Sequence, residues 1–139
     1  MIILDTNIIS EALRANPNVA VRAWLDRQRP SDLFLCAPVL AELRYGVERL
    51  PAGRRRSELE RLLTNAEISL FGNRLLTFER EAAHEFGRIA ARRAAMGRPI
   101  LPMDAVIGAI AITNGMSIAT RDIDGFAGLE IELIDPFES

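Results

Sequence analysis

Four acidic residues in this chain of 139 residues are set against apolar runs. Asp5 ends the stretch IILD, Asp122 follows IATR, and Glu42 and Asp104 come soon after Pro38 and Pro102 at the start of apolar-periodic segments. A carboxylate among apolar neighbours must be solvated, paired or bound to a cation. Taken singly, each acid has an ordinary role: Asp5 caps a helix, Asp104 complements a helix dipole for roughly 0.3–1 kcal/mol, Asp122 forms a turn and Glu42 is a solvated helix residue. Gathered on one rim they would act differently. Like charges ~5 Å apart at an effective dielectric of about 20 repel by roughly 3 kcal/mol per pair, which forces protonation or recruits a cation.

Oxygen-only donors select Mg²⁺ or Mn²⁺ rather than zinc, which favours cysteine and histidine ligands. The chain has one of each, Cys36 and His84, far apart in sequence. His84 lies in an alanine-rich charged segment and reads as structural or exposed. With no serine–histidine or histidine–histidine pair, hydrolysis would have to run through water activated by a carboxylate-held Mg²⁺ or Mn²⁺, a chemistry suited to phosphodiester cleavage. In this reading Asp5, Glu42, Asp104 and Asp122 are the catalytic acids, and Asp5, Asp104 and Asp122 are metal ligands. Thr6, Asn7 and Thr120 can orient the carboxylates or a water by hydrogen bonds, and Thr6 and Asn7 serve equally well as helix caps. Asp124 is either a further ligand or part of the turn DIDG.

These acids converge only if the right elements carry them. IILD reads as a first strand, and Ile8, Ile9, Ala12 and Leu13 have helical spacing after it. A second helix is predicted with Pro17 just inside an Asn16 cap, its buried face carrying Val21, Trp24 and Leu25. DLFLC is the second strand, followed by a helix opened by Pro38 with Val39, Leu40, Leu43 and Val47 on its buried stripe and ended by Pro51 and Gly53. RRRSELERLLTNAEI is an amphipathic peripheral helix, and RLLTF a short strand. The long helix that follows presents Ala82, Ala83, Phe86, Ile89 and Ala90 on one face until Gly97. PMDAVIGAIAITNG, apolar nearly all round, predicts a central buried helix, and SIAT and IELI the last strands. Short strands alternating with helices point to an α/β fold with a parallel sheet, in which ligands gather at the carboxyl ends of the strands.

The composition agrees with one folded unit over residues 1–139. An apolar fraction of 49% is enough for a single core, and a charged fraction of 26% fits a soluble chain. No apolar run approaches the roughly 18 residues of a bilayer span. MIIL meets an acid at once, which predicts no secretory leader. The lone Cys36, in the apolar run LFLCAPV, reads as a buried inert thiol, and a reducing cytoplasm fits. All basic residues are arginine and lysine is absent. Arginine suits bidentate phosphate contacts, but arginine-rich codon usage gives the same count, so position is more informative than number.

The segments ILDTNIISE, APVLAELRYGV, PMDAVIGAIA and IATRDIDGF resemble the four acidic motifs of PIN-domain ribonucleases, in that order and across the full chain. The closer resemblance is to bacterial VapC toxins of type II toxin–antitoxin pairs, and among them to the FitB-like group. It implies a three-layer α/β/α PIN-like domain with a central, mostly parallel sheet flanked by helices. It further implies Mg²⁺- or Mn²⁺-dependent endoribonuclease activity in the cytoplasm, on RNA targets that include tRNA, and a homodimer with an RNA groove. The implied inhibitor is a VapB-like antitoxin whose C-terminal part wraps the toxin and pushes an arginine into the acidic pocket, with operator DNA reached only through that antitoxin and no role for a membrane. Asp5, Glu42 and Asp104 match the three usual acids. Asp122 stands at the fourth site, where many relatives carry asparagine, which keeps an oxygen ligand and leaves the number of metals open.

For the RNA itself the candidates are Arg54, Arg55 and Arg56 in GRRRSE, and Arg92, Arg93 and Arg98 at the end of the long helix, set against the plainer reading of a solvated helix face. Trp24 and Tyr45 read as packing residues. Two rivals remain beside the nuclease. A phospho-receiver also rings strand ends with acids, but it places a lysine at the pocket and this chain has none. A catalytically silent PIN-like binding module would use the acidic pocket only to grip a partner's arginine.

Overall fold

The computed structural model describes residues 1–138. Strand β1 (Ile2–Leu4) leads into helices α1 (Thr6–Ala12) and α2 (Val19–Asp26), then β2 (Leu33–Cys36), α3 (Ala37–Glu48) and α4 (Arg54–Asn65). Strand β3 (Leu75–Leu76), helices α5 (Arg80–Ala95) and α6 (Pro102–Asn114), and strands β4 (Ser117–Ala119) and β5 (Leu133–Ile134) follow, with a 3-10 turn over Pro136–Glu138 near the end. The sheet has five strands in the order β3-β2-β1-β4-β5, every neighbour parallel, with helices flanking it.

Strands buried on both faces must be apolar without alternation, and Ile3, Leu4, Leu35, Cys36, Ile118 and Ala119 are all buried. Ile3 pairs in register with Phe34 on one side and Ile118 on the other, so β1 is central. The direction of strand addition reverses around it: β2 and β3 build outward on one side, and β4 and β5 on the other. The crevice between β1 and β4 is therefore the topological switch point, the place where such sheets bind ligands beyond the carboxyl ends of their strands.

Helix α6 is the buried one, with Ala105 through Ala111 bearing on the core except for the half-buried Val106, and it ends on Gly115 in the left-handed conformation (φ 63°). Gly108 lets it approach its neighbours: a Cβ there would stand 3.0 Å from Leu129 Cδ1 and 3.4 Å from Ile89 Cδ1 of α5. Among the described residues no helix is long and apolar enough to cross a membrane.

Three local expectations are corrected. The cap of α2 is Asn18, not Asn16: its side chain accepts from Ala20 N at 2.9 Å and Val21 N at 3.2 Å, while its own N–H is held by Glu11 Oε2 at 2.9 Å. Pro17 thus precedes the cap, because the tether to Glu11 of α1 decides where the next helix can start. Helix α4 does not stop near Ile68 but widens into a π-helical segment over Ala66–Phe71, which buries Phe71 before Gly72 breaks it. Ala83 of α5 is exposed, since only Ala82 and Ile89 of its stripe turn fully inward.

Candidate metal and nucleic-acid site

Asp5 is placed by two local demands. It follows the central strand, with its N–H donating to Ala119 O at 2.9 Å, and it is the N-cap of α1, its Oδ1 accepting from Thr6 N at 2.8 Å. Thr120, fully buried just past β4, donates its hydroxyl to Asp5 Oδ2 at 2.7 Å and accepts from Asp122 N at 3.0 Å. One threonine therefore joins the acid of β1 to the acid of β4. Thr6 does the same toward α3, its hydroxyl donating to Glu42 Oε1 at 2.8 Å. Asn7 completes the lattice: its amide nitrogen is 3.4 Å from Asp5 Oδ2, and its Oδ1 accepts from Arg121 N at 3.1 Å.

Asp122 is shaped by its own turn, where its Oδ1 accepts from Gly125 N at 3.0 Å. The chain folds so closely over this carboxylate that a Cβ on Gly125 would lie 2.2 Å from Asp122 Oδ2. Asp104, in the first turn of α6, has no hydrogen bond to its carboxylate among the described residues.

The four acids line one cleft of about 610 Å³ together with Thr6, Asn7, Ser10, Glu11, Arg14, Leu101, Arg121 and Phe137. Their fields overlap. Burial, and then the charges of Asp5, Asp122 and Glu42, push Asp104 up to about 6, against a smaller opposing pull from Arg93. Asp5 is also raised, by burial first and then by Glu42 and Asp122, against the hydrogen bonds of Thr120 and Thr6. Among the described residues no three His, Cys, Asp or Glu side chains are gathered at metal-ligand spacing around one point. Carboxylates without a cation between them repel, and here separate hydrogen bonds fix each of them except Asp104.

The donor chemistry still identifies the kind of ion that fits. Among the side chains that line the cleft, those able to ligate a cation offer carboxylate, hydroxyl and amide oxygens, the set that suits Mg²⁺ or Mn²⁺. Cys36 is fully buried behind Asp5 and Glu42, and burial holds its thiol up at about 12, so it offers no thiolate. His84 is exposed on α5 and is not part of the cleft.

Not every residue marked in the sequence arrives here. Asp124 is exposed outside the cleft wall, because the 3-10 turn Asp124–Phe126 that closes over Asp122 directs it to solvent. Arg93 is buried, its guanidinium donating to Arg98 O at 2.7 Å, Gly125 O at 2.9 Å and Ala127 O at 3.0 Å, so it ties loops together instead of facing a ligand. Arg56 is spent on Glu48 at 3.0 Å and Glu60 at 3.2 Å, and Arg92 on Glu130 at 3.0 Å. Arg55 reaches Glu58 only at 3.9 Å, and Arg54 and Arg98 are exposed. Trp24 is buried as expected, but Tyr45 is 66% exposed with Arg49 over its ring. Arg14, Arg121 and Phe137, which do line the cleft, were not anticipated. Adjacency to Asp122 in TRD was the available signal for Arg121, while nothing local marked Phe137, which reaches the cleft from the far end of the chain.

Comparison with known proteins agrees with this fold. The PIN domain model matches residues 2–131. The VapC ribonuclease Y4jK of Sinorhizobium fredii is 37% identical over 138 residues, 99% of each chain, and toxin FitB of Neisseria gonorrhoeae is 36% identical over 137 residues, again 99% of each. The solved structure of FitAB bound to a DNA fragment contains a chain that superposes with a TM-score of 0.93 at 36% identity, covering 99% of this chain and 96% of that one.

Proposed function

This chain belongs to the PIN-domain family, and on that premise we propose that it is an endoribonuclease toxin of a toxin–antitoxin pair, cleaving RNA with Mg²⁺ or Mn²⁺ held at the carboxyl ends of β1 and β4. The observation that carries the reading is Asp104: a carboxylate without a hydrogen-bond partner among the described residues, raised to about 6 by burial and by three other acids in the same cleft. Such a group calls for a cation. Asp5, Asp104 and Asp122 would hold the ion. Bound there, it would supply Lewis-acid chemistry, neutralising phosphate oxygens and acidifying water. Glu42, steadied by the Thr6 hydroxyl, is the acid left to orient a water and take its proton. Thr120 keeps Asp5 and Asp122 at fixed separation, which lowers the reorganisation needed at the moment of reaction.

The names of the relatives supply the biological setting: a ribonuclease, a toxin, and a two-component complex on DNA. By that analogy the chain pairs with a VapB-like antitoxin whose C-terminal part wraps it, works as a homodimer in the cytoplasm, and meets operator DNA only through the antitoxin.

The test is cleavage of RNA by the purified protein with and without added Mg²⁺ or Mn²⁺. Asp104→Asn and Glu42→Gln are expected to fold normally and to lose roughly three orders of magnitude in rate, the several kcal/mol that a metal site contributes to charge stabilisation. Full cleavage by folded Asp104→Asn would overturn the assignment. A silent binding module predicts no cleavage by the wild-type protein under any metal.

A further inference from the structure

Three arginines border the acids, and they are committed in different ways. Arg93 is buried with its donors on main-chain carbonyls, and Arg14 lies 3.4 Å from Glu11. Arg121 alone of the three makes no ion pair among the described residues, although it is the immediate neighbour of Asp122 and lines the cleft with Asp5, Glu42 and Asp104. Electrostatics alone would fold such a side chain down onto the carboxylates. Instead its guanidinium carbon sits over the ring of Phe137, 4.3 Å from the centroid.

That placement is built on both sides. The main chain at Arg121 is pinned by its N–H to Asn7 Oδ1 at 3.1 Å, and its neighbours by Thr120 N to Ile134 O at 2.8 Å and Asp122 N to Thr120 Oγ1 at 3.0 Å. Phe137 is fixed in turn, its N–H donating to Asp135 Oδ1 at 2.9 Å beside the buried Pro136. An aromatic face attracts a guanidinium without consuming any of its N–H donors. The result is a cation kept off the acids, at the mouth of their cleft, with its fork of donors available for a bidentate contact to an anion.

We infer that Arg121, held by Phe137, grips a phosphate of the RNA strand beside the acidic cluster, making it a substrate-binding residue of the cleft. The inference rests on the nuclease reading and names the group that offsets the repulsion between an acidic cleft and a polyanion. Once a cation neutralises the carboxylates, the competing pull on Arg121 weakens and its donors can turn to the strand.

The test uses steady-state cleavage of a fluorescein-labelled, mixed-sequence RNA by the full chain with Mn²⁺ at several salt concentrations, with thermal unfolding as the check on folding. Arg121→Gln is expected to raise KM about tenfold with kcat nearly unchanged, the signature of a lost charge-assisted contact made equally in ground and transition states. It should also lower the slope of log(kcat/KM) against log salt by about 0.7, the value for one phosphate contact on a single strand. Arg121→Lys should recover the salt slope but only part of the KM, and Phe137→Leu should raise KM by about threefold while leaving the slope intact. A folded Arg121→Gln protein with wild-type KM and salt slope, or one that loses only kcat, overturns the inference and leaves the nuclease reading standing. A wild-type protein that leaves RNA intact removes both.

Discussion

The acidic cleft and the arginine-rich helices α4 and α5 are both densely charged, and they are organised in opposite ways. On α4, Arg56 lies between Glu48 and Glu60; on α5, Arg88 meets Glu85 at 2.8 Å and Arg92 meets Glu130 at 3.0 Å. Charge there is cancelled locally, at exposed pairs of the sort worth roughly 0–1 kcal/mol. In the cleft, like charges face one another, and the groups that hold them are hydroxyls, amides and main-chain N–H groups, none of which brings a compensating charge. A run such as RRR draws the eye in the sequence, yet two of its three arginines end in ion pairs with nearby glutamates. Separated single acids carry the uncompensated field. Function is better sought where charge is left unbalanced than where it is abundant.

The sharpest way to break that contrast is to attack Arg93, the one buried cation near the cleft among the described residues. Arg93→Met leaves the carbonyls of Arg98, Gly125 and Ala127 without their donor. It should cost about 2–3 kcal/mol, seen as a fall in Tm of roughly 5–10 °C, and should reduce cleavage through the loosened loop that carries Asp122. A Tm within a degree of wild type would show that the loop stands without it.

Next is the pH response of the metal-free protein. Asp104 is raised from 3.8 to about 6, so between those values the folded state keeps a proton that the unfolded chain has released. Its contribution to stability is full below the lower value and is lost as pH rises through the upper one. Tm is therefore expected to fall from about pH 4 to about pH 6, with a flatter profile in Asp104→Asn, and Mn²⁺ should restore Tm at neutral pH by binding only the folded form. Parallel profiles for the wild-type and Asp104→Asn proteins would mean that Asp104 is not charge-strained.

A smaller effect comes from Gly125→Ala. The new methyl overlaps Asp122 Oδ2, the movable end of a side chain, so stability should change little while the carboxylate is displaced and cleavage falls about tenfold. Unchanged cleavage would separate Asp122 from the reaction. The smallest expected effect is on the other side of the comparison: Arg54→Ala, an exposed change on α4, should stay within about 0.5 kcal/mol in stability and leave the salt dependence of cleavage as it is.

Some of this was legible from residues alone because local rules determine it. Strands buried on both faces read as the continuous apolar runs around Ile3, Leu35 and Ile118, and α6 as the helix apolar all round. Four acids at strand ends and helix starts were legible for the same reason: in a parallel sheet those positions share one rim. The misplaced cap shows the limit. Asn16 and Asn18 are equally good caps by type, and the choice was made by Glu11, a contact across seven residues. The arginines show it again, since whether a guanidinium faces solvent, a glutamate or three carbonyls depends on what other segments bring alongside it.

By itself, the sequence determined which elements form and which acids stand at their ends, because periodicity, apolar runs and capping are properties of neighbouring residues. Only the tertiary structure decided that Thr120 joins Asp5 to Asp122, that Arg93 is buried, that Asp124 is left outside, and that Phe137 holds Arg121 at the cleft. Those outcomes depend on pairs as much as 115 residues apart, such as Thr120 and Asp5. The energy of such a pair exists only once packing has brought its two members together.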